Sequence, residues 1–316
     1  MTTNILHVLN GDAARHPLEA SGAPGDFTIW ADPLHDGPVP GGLDDDQLRQ
    51  VRARHLADGV GEHEADVLRT LRDWDAALAR WETYDEVVFW FEHDLFDQLI
   101  LIRHLDWLSR IAPSARRFSL ICIGEHPDVP EFSGLGRLSP AQMLALLPAR
   151  QPLTVTQVGA GSTAWAAFRA DDPTVLERWI QAQDPTVLPF LPVALTRHLD
   201  ELPGLDDGLS RSERQALRAL AAGAFTFSDI FRATQRMEAR VFMGDLSFRR
   251  ILRSLASGVT PLLESADDRF GLTAAGHEML AGRADNVGLN GIDRWMGGVH
   301  LTTHRLWRWD GKVSQF

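Results

Sequence analysis

The chain has 316 residues, of which 44% are hydrophobic and 23% are charged, and its formal net charge at pH 7 is −12. These are ordinary values for a globular protein, so they exclude a mainly disordered chain, and the length favours two domains over one core. The single cysteine, Cys122, excludes an intramolecular disulfide and is consistent with a reducing compartment. The apolar runs are too short to span a bilayer and the first residues lack a signal-peptide pattern, so we expect a cytoplasmic protein with no membrane partner.

Charge is uneven along the chain. The first 208 residues hold 16 Lys and Arg against 32 Asp and Glu, whereas residues 209–282 hold 10 against 8 and residues 283–316 hold 5 against 3. Binding to a nucleic-acid backbone relies on Lys and Arg, so the acidic first two thirds are not expected to bind nucleic acid in general.

Four short apolar runs in the first 125 residues predict strands. They are Asn4–Leu9, Phe27–Trp30, Glu86–Phe91 and Phe118–Ile123. Segments with apolar residues three and four apart lie between them and predict helices at Asp44–Ala57, His63–Trp81 and Leu95–Ile111. This alternation predicts an α/β domain over residues 1–138, with a mostly parallel sheet flanked by helices.

The remaining chain divides into three predicted parts. Helical segments interrupted by prolines predict a helical connector over residues 139–205. A turn-rich loop followed by the capping-box pair Ser210 and Glu213 marks a helix start and the boundary of the next domain. Three helices, a hairpin and a closing helix then predict a winged-helix-like domain over residues 206–282.

The last part, residues 283–316, is rich in Trp and Arg. We expect Trp295, Trp307 and Trp309 to dock it across the domains by burying large aromatic area. In the alternative interpretation, Arg294 or His300 completes a site in the first domain.

Polar residues follow every predicted strand of the first domain. Ligands of open α/β sheets bind outside the carboxyl ends of the strands, so these residues are the candidates for a site. The candidate catalytic residues are Asp12, His35, Glu92, His93, Asp94, Glu125 and His126. The candidate ligand-binding residues are Asn10, Gly11, Asp32, Gly37, Asp97 and Gln98.

The segment after the third strand is the best supported of the four. Asp94 is explained by capping the next helix, but Glu92 and His93 are not, because a cap needs only one such residue. Two chemistries stay open. His35, His93, His126 and Asp94 are candidate ligands of a divalent metal, or the same groups form a general acid–base pair. Histidines that simply hydrogen-bond to neighbouring carboxylates are the competing structural interpretation.

Several common catalytic patterns are absent from the sequence. It has no Gly-x-x-x-x-Gly-Lys phosphate loop, no Gly-x-Gly-x-x-Gly after the first strand and no Gly-x-Ser-x-Gly elbow. Ala13 stands where a serine nucleophile would follow the first strand, and Cys122 is expected to be a buried thiol.

Four stretches of the first 130 residues resemble a bacterial family catalogued as domain of unknown function 1835. They are LHVLNGDA at 6–13, WADPLHDGP at 30–38, WFEHDLFDQL at 90–99 and LICIGEHP at 120–127. Many members carry Gly-Asp-Ser in the first stretch and Asp-x-Leu-x-x-Gly-Pro in the second. The second pattern matches Asp32, Leu34, Gly37 and Pro38, whereas Ala13 departs from the first. The resemblance supports the site without implying a reaction.

The predicted function is an enzyme, a metal-assisted or acid–base hydrolase or transferase, acting on a small polar molecule of phosphorylated or nucleotide-like type. The alternative is a ligand-sensing regulator whose winged helix binds DNA or a protein. In that case Arg249, Arg250 and Arg253 would face DNA, although arginines that form a solvated helix face are favoured over DNA contacts. A third interpretation is an acidic protein-interaction module. The sequence sets no oligomeric state.

Overall fold

The structure is a computed structural model that describes residues 4–111 and 117–316. Its strands are β1 (Ile5–Leu9), β2 (Asp26–Ile29), β3 (Gly37–Pro38), β4 (Glu86–Glu92), β5 (Phe118–Ile123), β6 (Gln151–Pro152), β7 (Leu263–Ala266), β8 (Arg269–Leu272), β9 (Asp293–Gly297), β10 (Val299–Thr302), β11 (Trp307–Trp309) and β12 (Val313–Gln315). Its helices are α1 (Asp12–Ala20), α2 (Asp45–Val60), α3 (Glu64–Ala79), α4 (Leu95–Ile111), α5 (Pro140–Leu146), α6 (Val155–Phe168), α7 (Pro173–Ala182), α8 (Leu191–Leu199), α9 (Arg211–Ala221), α10 (Phe227–Arg236), α11 (Asp245–Ala256), α12 (Ala274–Leu280) and α13 (Asn286–Asn290).

The central sheet has the strand order β2-β1-β4-β5-β6. All of its pairings are parallel except the short edge pairing of β5 with β6. This confirms the predicted α/β class with a mostly parallel sheet. Each of the four predicted strands begins and ends within one residue of its observed bounds.

Both faces of the sheet are covered, as the alternation of side chains along each strand requires. Phe89 and Phe91 of β4 belong to a large core that also contains residues of α3, α4, α6 and α8. Val88 and Trp90 of the same strand point to the opposite core, which contains residues of α1 and α5. The segment between the first domain and the capping box therefore supplies helices to both faces of this sheet.

The connections from β1 and β4 run in opposite directions across the sheet. The chain passes from β1 to its neighbour β2 through α1, and from β4 to β5 on the other side through α4. These two helices contribute to opposite cores. The carboxyl ends of β1 and β4 therefore flank a topological switch point, the place where open α/β sheets bind ligands.

The C-terminal region has a hydrophobic core of its own, built from α9, α10, α11, α12 and β7. The capping box is present at the start of α9: the Ser210 amide donates to Glu213 Oε2 at 2.7 Å and the Glu213 amide donates to Ser210 Oγ at 3.2 Å. Strands β7 and β8 form a small antiparallel hairpin, and β11 and β12 form another. The winged-helix assignment stays a prediction.

The last strands connect the chain end to the first domain. Strand β9 pairs with β10 and also, in parallel, with β3, so that Gly37 lies opposite Met296. Gly37 has a φ of +85°, and a Cβ there would lie 2.3 Å from the ring of His55, so only glycine fits. Trp307 is buried in the large core, as expected of a docked tail. None of the helices in the described ranges is long and apolar enough to cross a membrane.

Candidate functional site

Three carboxylates meet at the carboxyl end of β4. Glu92 is the last residue of β4, Asp94 precedes α4, and Asp97 lies in the first turn of that helix. One oxygen from each of them lies within 4.8 Å of the others. Glu92 and Asp94 are each 6% exposed and Asp97 is fully buried. We call these three residues the carboxylate cluster.

Asn10, the residue after β1, joins the cluster across the switch point. Its Nδ2 donates to Glu92 Oε1 at 3.2 Å and to the two oxygens of Asp97 at 2.9 and 3.0 Å. Within the cluster, the amide of Glu92 donates to Asp97 Oδ2 at 2.5 Å and the amide of Asp97 donates to Asp94 Oδ1 at 3.1 Å. The ends of β1, β4 and α4 are thus held around the same carboxylates.

A loop ending in a 3-10 turn at Leu135–Arg137 covers the cluster. The amide of Leu135 donates to Glu92 Oε1 at 2.5 Å. Gly134 has a φ of +135°, and a Cβ at this position would lie 2.5 Å from Glu92 Oε2. Glycine therefore allows the backbone to lie directly against the carboxylate.

The cluster is strongly acidic in position but holds on to protons. Burial raises the pKa of Glu92. Burial, together with the charge of Glu92, raises the pKa of Asp94 to about 8, and burial with the charges of Asp94 and Glu92 raises the pKa of Asp97 well above its usual range. In residues 4–111 and 117–316, no Arg, Lys or His forms a salt bridge with any of the three. At neutral pH the cluster must therefore share protons or bind a cation.

The nearest cationic contribution comes from Arg240, in the segment between α10 and α11. Its Nη1 donates to the carbonyl oxygen of His93 at 3.0 Å, and its guanidinium lies 5.5 Å from the ring centre of Phe190. Burial lowers the pKa of Arg240, and the charge of Asp94 opposes that change. Sequence reasoning missed Arg240, because nothing in its local pattern points to a strand end of the first domain.

His93 and Gln98 flank the cluster. The His93 ring contacts Phe132 and Phe190, and its buried Nδ1 has no partner among the described residues. Burial and the nearby Arg240 lower the pKa of His93, so its ring is neutral at pH 7. Gln98 Nε2 donates to the carbonyl oxygen of Glu92 at 2.6 Å, which ties the end of β4 to α4.

Cys122 lies beside this region without taking part in it. Gln98 Nε2 approaches its sulfur at 3.4 Å. Burial raises the pKa of the thiol to about 12. The thiol is therefore protonated at neutral pH and is not a nucleophile.

Other strand-end residues lie outside the cluster. Asp12 is exposed and pairs with Arg15 at 2.8 Å on the first turn of α1. Glu125 is also exposed, and His126 Nδ1 accepts from the amide of Asp128 at 3.2 Å. The only group of potential metal ligands found among the described residues is the carboxylate cluster, so of the predicted metal ligands it includes Asp94 and none of the three histidines.

The residues after β2 are directed to a different place. Asp32 and Arg52 form a buried ion pair at 2.6 Å, with side chains only 3% and 1% exposed. Arg52 also donates to the carbonyl oxygens of Asp36 at 2.7 Å and Pro33 at 3.1 Å. Asp32 thus shapes this loop, and His35 and Gly37 line a separate cavity described below.

The three arginines proposed for DNA contact have different surroundings. Arg250 forms an ion pair with Asp36 and donates to the carbonyl oxygen of His55 at 3.2 Å, so α11 is held against α2. Arg249 lies 3.6 Å from the ring centre of Phe227, and Arg253 is exposed. Arg250 is therefore engaged within the chain.

Neither a protein-family model nor a curated protein matches this chain.

Proposed function

We propose that the chain is an enzyme whose reactive centre is the carboxylate cluster at the switch point between β1 and β4. The observation that carries the proposal is the burial of three mutually close carboxylates that no cationic side chain pairs with in the described chain. Burying such charges costs several kcal/mol per ion. Groups with strongly perturbed pKa values at a ligand-binding position of the fold are candidates for acid–base work.

Asp94 has the properties of the general acid. With a pKa raised to about 8 by burial and by the charge of Glu92, it is protonated at pH 7 and can donate that proton to a substrate oxygen. Its Oδ1 accepts from the Asp97 amide, which leaves the other oxygen to carry the proton. Once Asp94 has given up the proton, the neighbouring carboxylates favour its return.

The same residues suit a divalent cation. Carboxylate oxygens are the ligands that Mg²⁺ and Ca²⁺ prefer, and a cation would take the place of the shared protons. Bound there, it would supply charge neutralisation and polarise a substrate oxygen. The reaction would then be metal-assisted, with Asn10 orienting Glu92 and Asp97 from the neighbouring strand.

The substrate class follows from what surrounds the cluster. Helix α1 begins directly after Asn10, and its N-cap Gly11 makes no side-chain hydrogen bond, so the first amides of the helix are available to an anion. Arg240 adds a positive charge on the side of Asp94. A small polar molecule with a phosphate or carboxylate group fits this arrangement.

The experiment measures release of phosphate from p-nitrophenyl phosphate and from nucleoside monophosphates, with and without Mg²⁺ or Mn²⁺. We expect Asp94→Asn to lower kcat at least about 100-fold, the usual size of a general acid's contribution. Activity of the wild type should fall as pH rises through about 8, where the Asp94 proton is lost. Asp12→Asn, at the exposed strand-end carboxylate beside Arg15, is the matched control and should keep full activity.

Equal activity of the Asp94→Asn and wild-type proteins would refute the assignment of Asp94. Absence of wild-type activity on all of these substrates, with each cation, would refute the proposed substrate class.

We also propose membership of the domain of unknown function 1835 family and a winged-helix assignment for residues 206–282. The pairing of Gly37 and Pro38 with β9 supports the first, since it assigns a structural use to the second family motif. The order of α9, α10, α11, the β7–β8 hairpin and α12 supports the second. The contacts of α11 with Asp36 favour an internal docking role for this module over DNA binding.

A further inference from the structure

A cavity of about 350 Å³ lies between the two hydrophobic cores, and we call it the His35 cavity. Three parts of the chain form its wall: the loop after β2 with His35 and Asp36, helix α11, and strand β9. Its volume lies in the range of natural small-molecule sites. It is separate from the carboxylate cluster, none of whose residues lines it.

The wall of the His35 cavity combines aromatic and thioether groups with ion pairs that are already satisfied. Phe242, Met243, Trp295 and Met296 supply apolar surface suited to a flat ring. Asp36 pairs with Arg250 inside the same wall. Since these charges are neutralised in place, what the cavity offers to a ligand is mainly flat apolar surface.

The charges that line the cavity are net negative. The carboxylates in the wall are Asp36, Glu201, Glu213 and Asp293, and the guanidinium groups are Arg250 and Arg294. Glu201 pairs with Arg197 at 2.6 Å, and Glu213 pairs with Arg294 at 3.1 Å. A neutral or cationic ligand is therefore favoured over an anionic one.

His35 provides unused hydrogen-bonding groups in this wall. It is 9% exposed, and neither of its ring nitrogens has a partner in the described chain. Its ring is held edge-on between Phe96 and Phe242, with ring centres 6.1 and 5.1 Å away. Burial lowers the pKa of His35 to about 4, so the neutral ring presents one N–H donor and one acceptor.

A second polar group in the wall is also unsatisfied. The Nε of Arg294 is buried without a partner among the described residues, although its other nitrogens bond to Glu213 and to the carbonyl oxygen of Glu201. Buried polar groups without partners cost about 1–3 kcal/mol each, and two of them in one cavity wall indicate that a bound molecule supplies the missing hydrogen bonds.

We propose that the His35 cavity is a second ligand site, which binds a neutral or cationic nitrogen heterocycle of about nucleoside size. The flat ring lies against Phe242 and the methionine side chains, and its ring nitrogens exchange hydrogen bonds with His35. Because α11 and β9 close the cavity against the β2 loop, the ligand bridges the two cores and stabilises their packing.

The test uses three molecules with one heterocycle and three charges: 1-methyladenosine, which is cationic, adenosine, which is neutral, and AMP, which is anionic. Binding to the full chain is measured by saturation-transfer NMR and by calorimetry. We expect 1-methyladenosine and adenosine to bind at least about tenfold more tightly than AMP, because the wall is net negative. Tighter binding of AMP would overturn the proposal, as would no binding by any of the three at millimolar concentration.

Two substitutions locate the binding. His35→Phe keeps the ring between Phe96 and Phe242 but removes both nitrogens, so affinity for adenosine should fall at least about tenfold while stability is kept. His104→Phe is the matched control, since His104 is also buried and its Nε2 also lacks a partner, but it does not line the cavity. Ser254→Trp, from a solvent-exposed position on α11, should fill the cavity and abolish binding.

Equal affinities of the His35→Phe, Ser254→Trp and wild-type proteins would place the ligand elsewhere and overturn the proposal. Asp94→Asn should leave binding at the His35 cavity unchanged, so this site and the proposed enzyme activity stand or fall separately.

Discussion

Replacing Asp94 by asparagine should make the protein more stable at neutral pH while leaving it nearly unchanged at pH 4. Asparagine has the shape of a protonated aspartic acid. Its oxygen can accept from the Asp97 amide, as Asp94 Oδ1 does at 3.1 Å, and its NH₂ group can donate to Glu92. The substitution therefore locks in the protonated form that the folded cluster favours.

The magnitude follows from the pKa of Asp94, which burial and the charge of Glu92 raise to about 8 in the folded chain. In the unfolded chain an aspartate titrates near pH 4. Between these values the folded state holds a proton that the unfolded state has released, so the free energy of unfolding falls as pH rises. The slope is about 1.4 kcal/mol per pH unit, so the loss between pH 4 and pH 7 is on the order of 4 kcal/mol.

The assay is urea unfolding followed by tryptophan fluorescence from pH 4 to pH 8, in EDTA so that no cation replaces the protons. The Asp94→Asn protein should lack this slope and exceed the wild type in stability at pH 7. Asp12→Asn, at an exposed carboxylate, should follow the wild-type profile within about 0.5 kcal/mol. Parallel pH profiles for Asp94→Asn and wild type would refute the assignment of a proton to Asp94.

Three further changes test other parts of the structure. Asp32→Asn leaves the buried guanidinium of Arg52 without its counter-ion and should lower the free energy of unfolding by about 3–5 kcal/mol in urea titrations; a loss below about 1 kcal/mol would contradict the described pairing. Gly37→Ala should lower the melting temperature clearly more than the matched Gly42→Ala, because both residues have positive φ but only the Cβ at position 37 meets a neighbouring side chain; equal shifts would mean that this contact is unimportant. Cys122, with a pKa raised to about 12 by burial, should react with iodoacetamide at pH 8 more than about tenfold more slowly than free cysteine, and a comparable rate would show that the thiol is accessible and ionised.

The class of the first domain could be predicted from local patterns because buried strands and amphipathic helices carry strong sequence signals. Helix α4 was predicted with its observed bounds, Leu95–Ile111, and strand β5 with its bounds, Phe118–Ile123. The capping box at Ser210 and Glu213 likewise specifies a helix start within four residues of sequence. These features depend on contacts between near neighbours along the chain.

The content of the site divides along the same line. Glu92, Asp94 and Asp97 could be picked out because an unusual run of ionisable residues separates an apolar strand from an apolar helix. That Asn10 joins them, and Asp12 does not, depends on which side of the first loop faces β4. Arg240 lies about 150 residues away in sequence, and only the packing of the C-terminal region brings it to His93.

By itself, the sequence determined the order of strands and helices, the acidic character of the strand ends and the best-supported loop, because each of these is a local property. Only the tertiary structure decided that His35 lines a cavity between the two cores while Asp94 lies in the carboxylate cluster. The reason is physical: a side chain's pKa and hydrogen-bond partners depend on burial and on distant neighbours. Those are fixed when the sheet, α11 and β9 pack together.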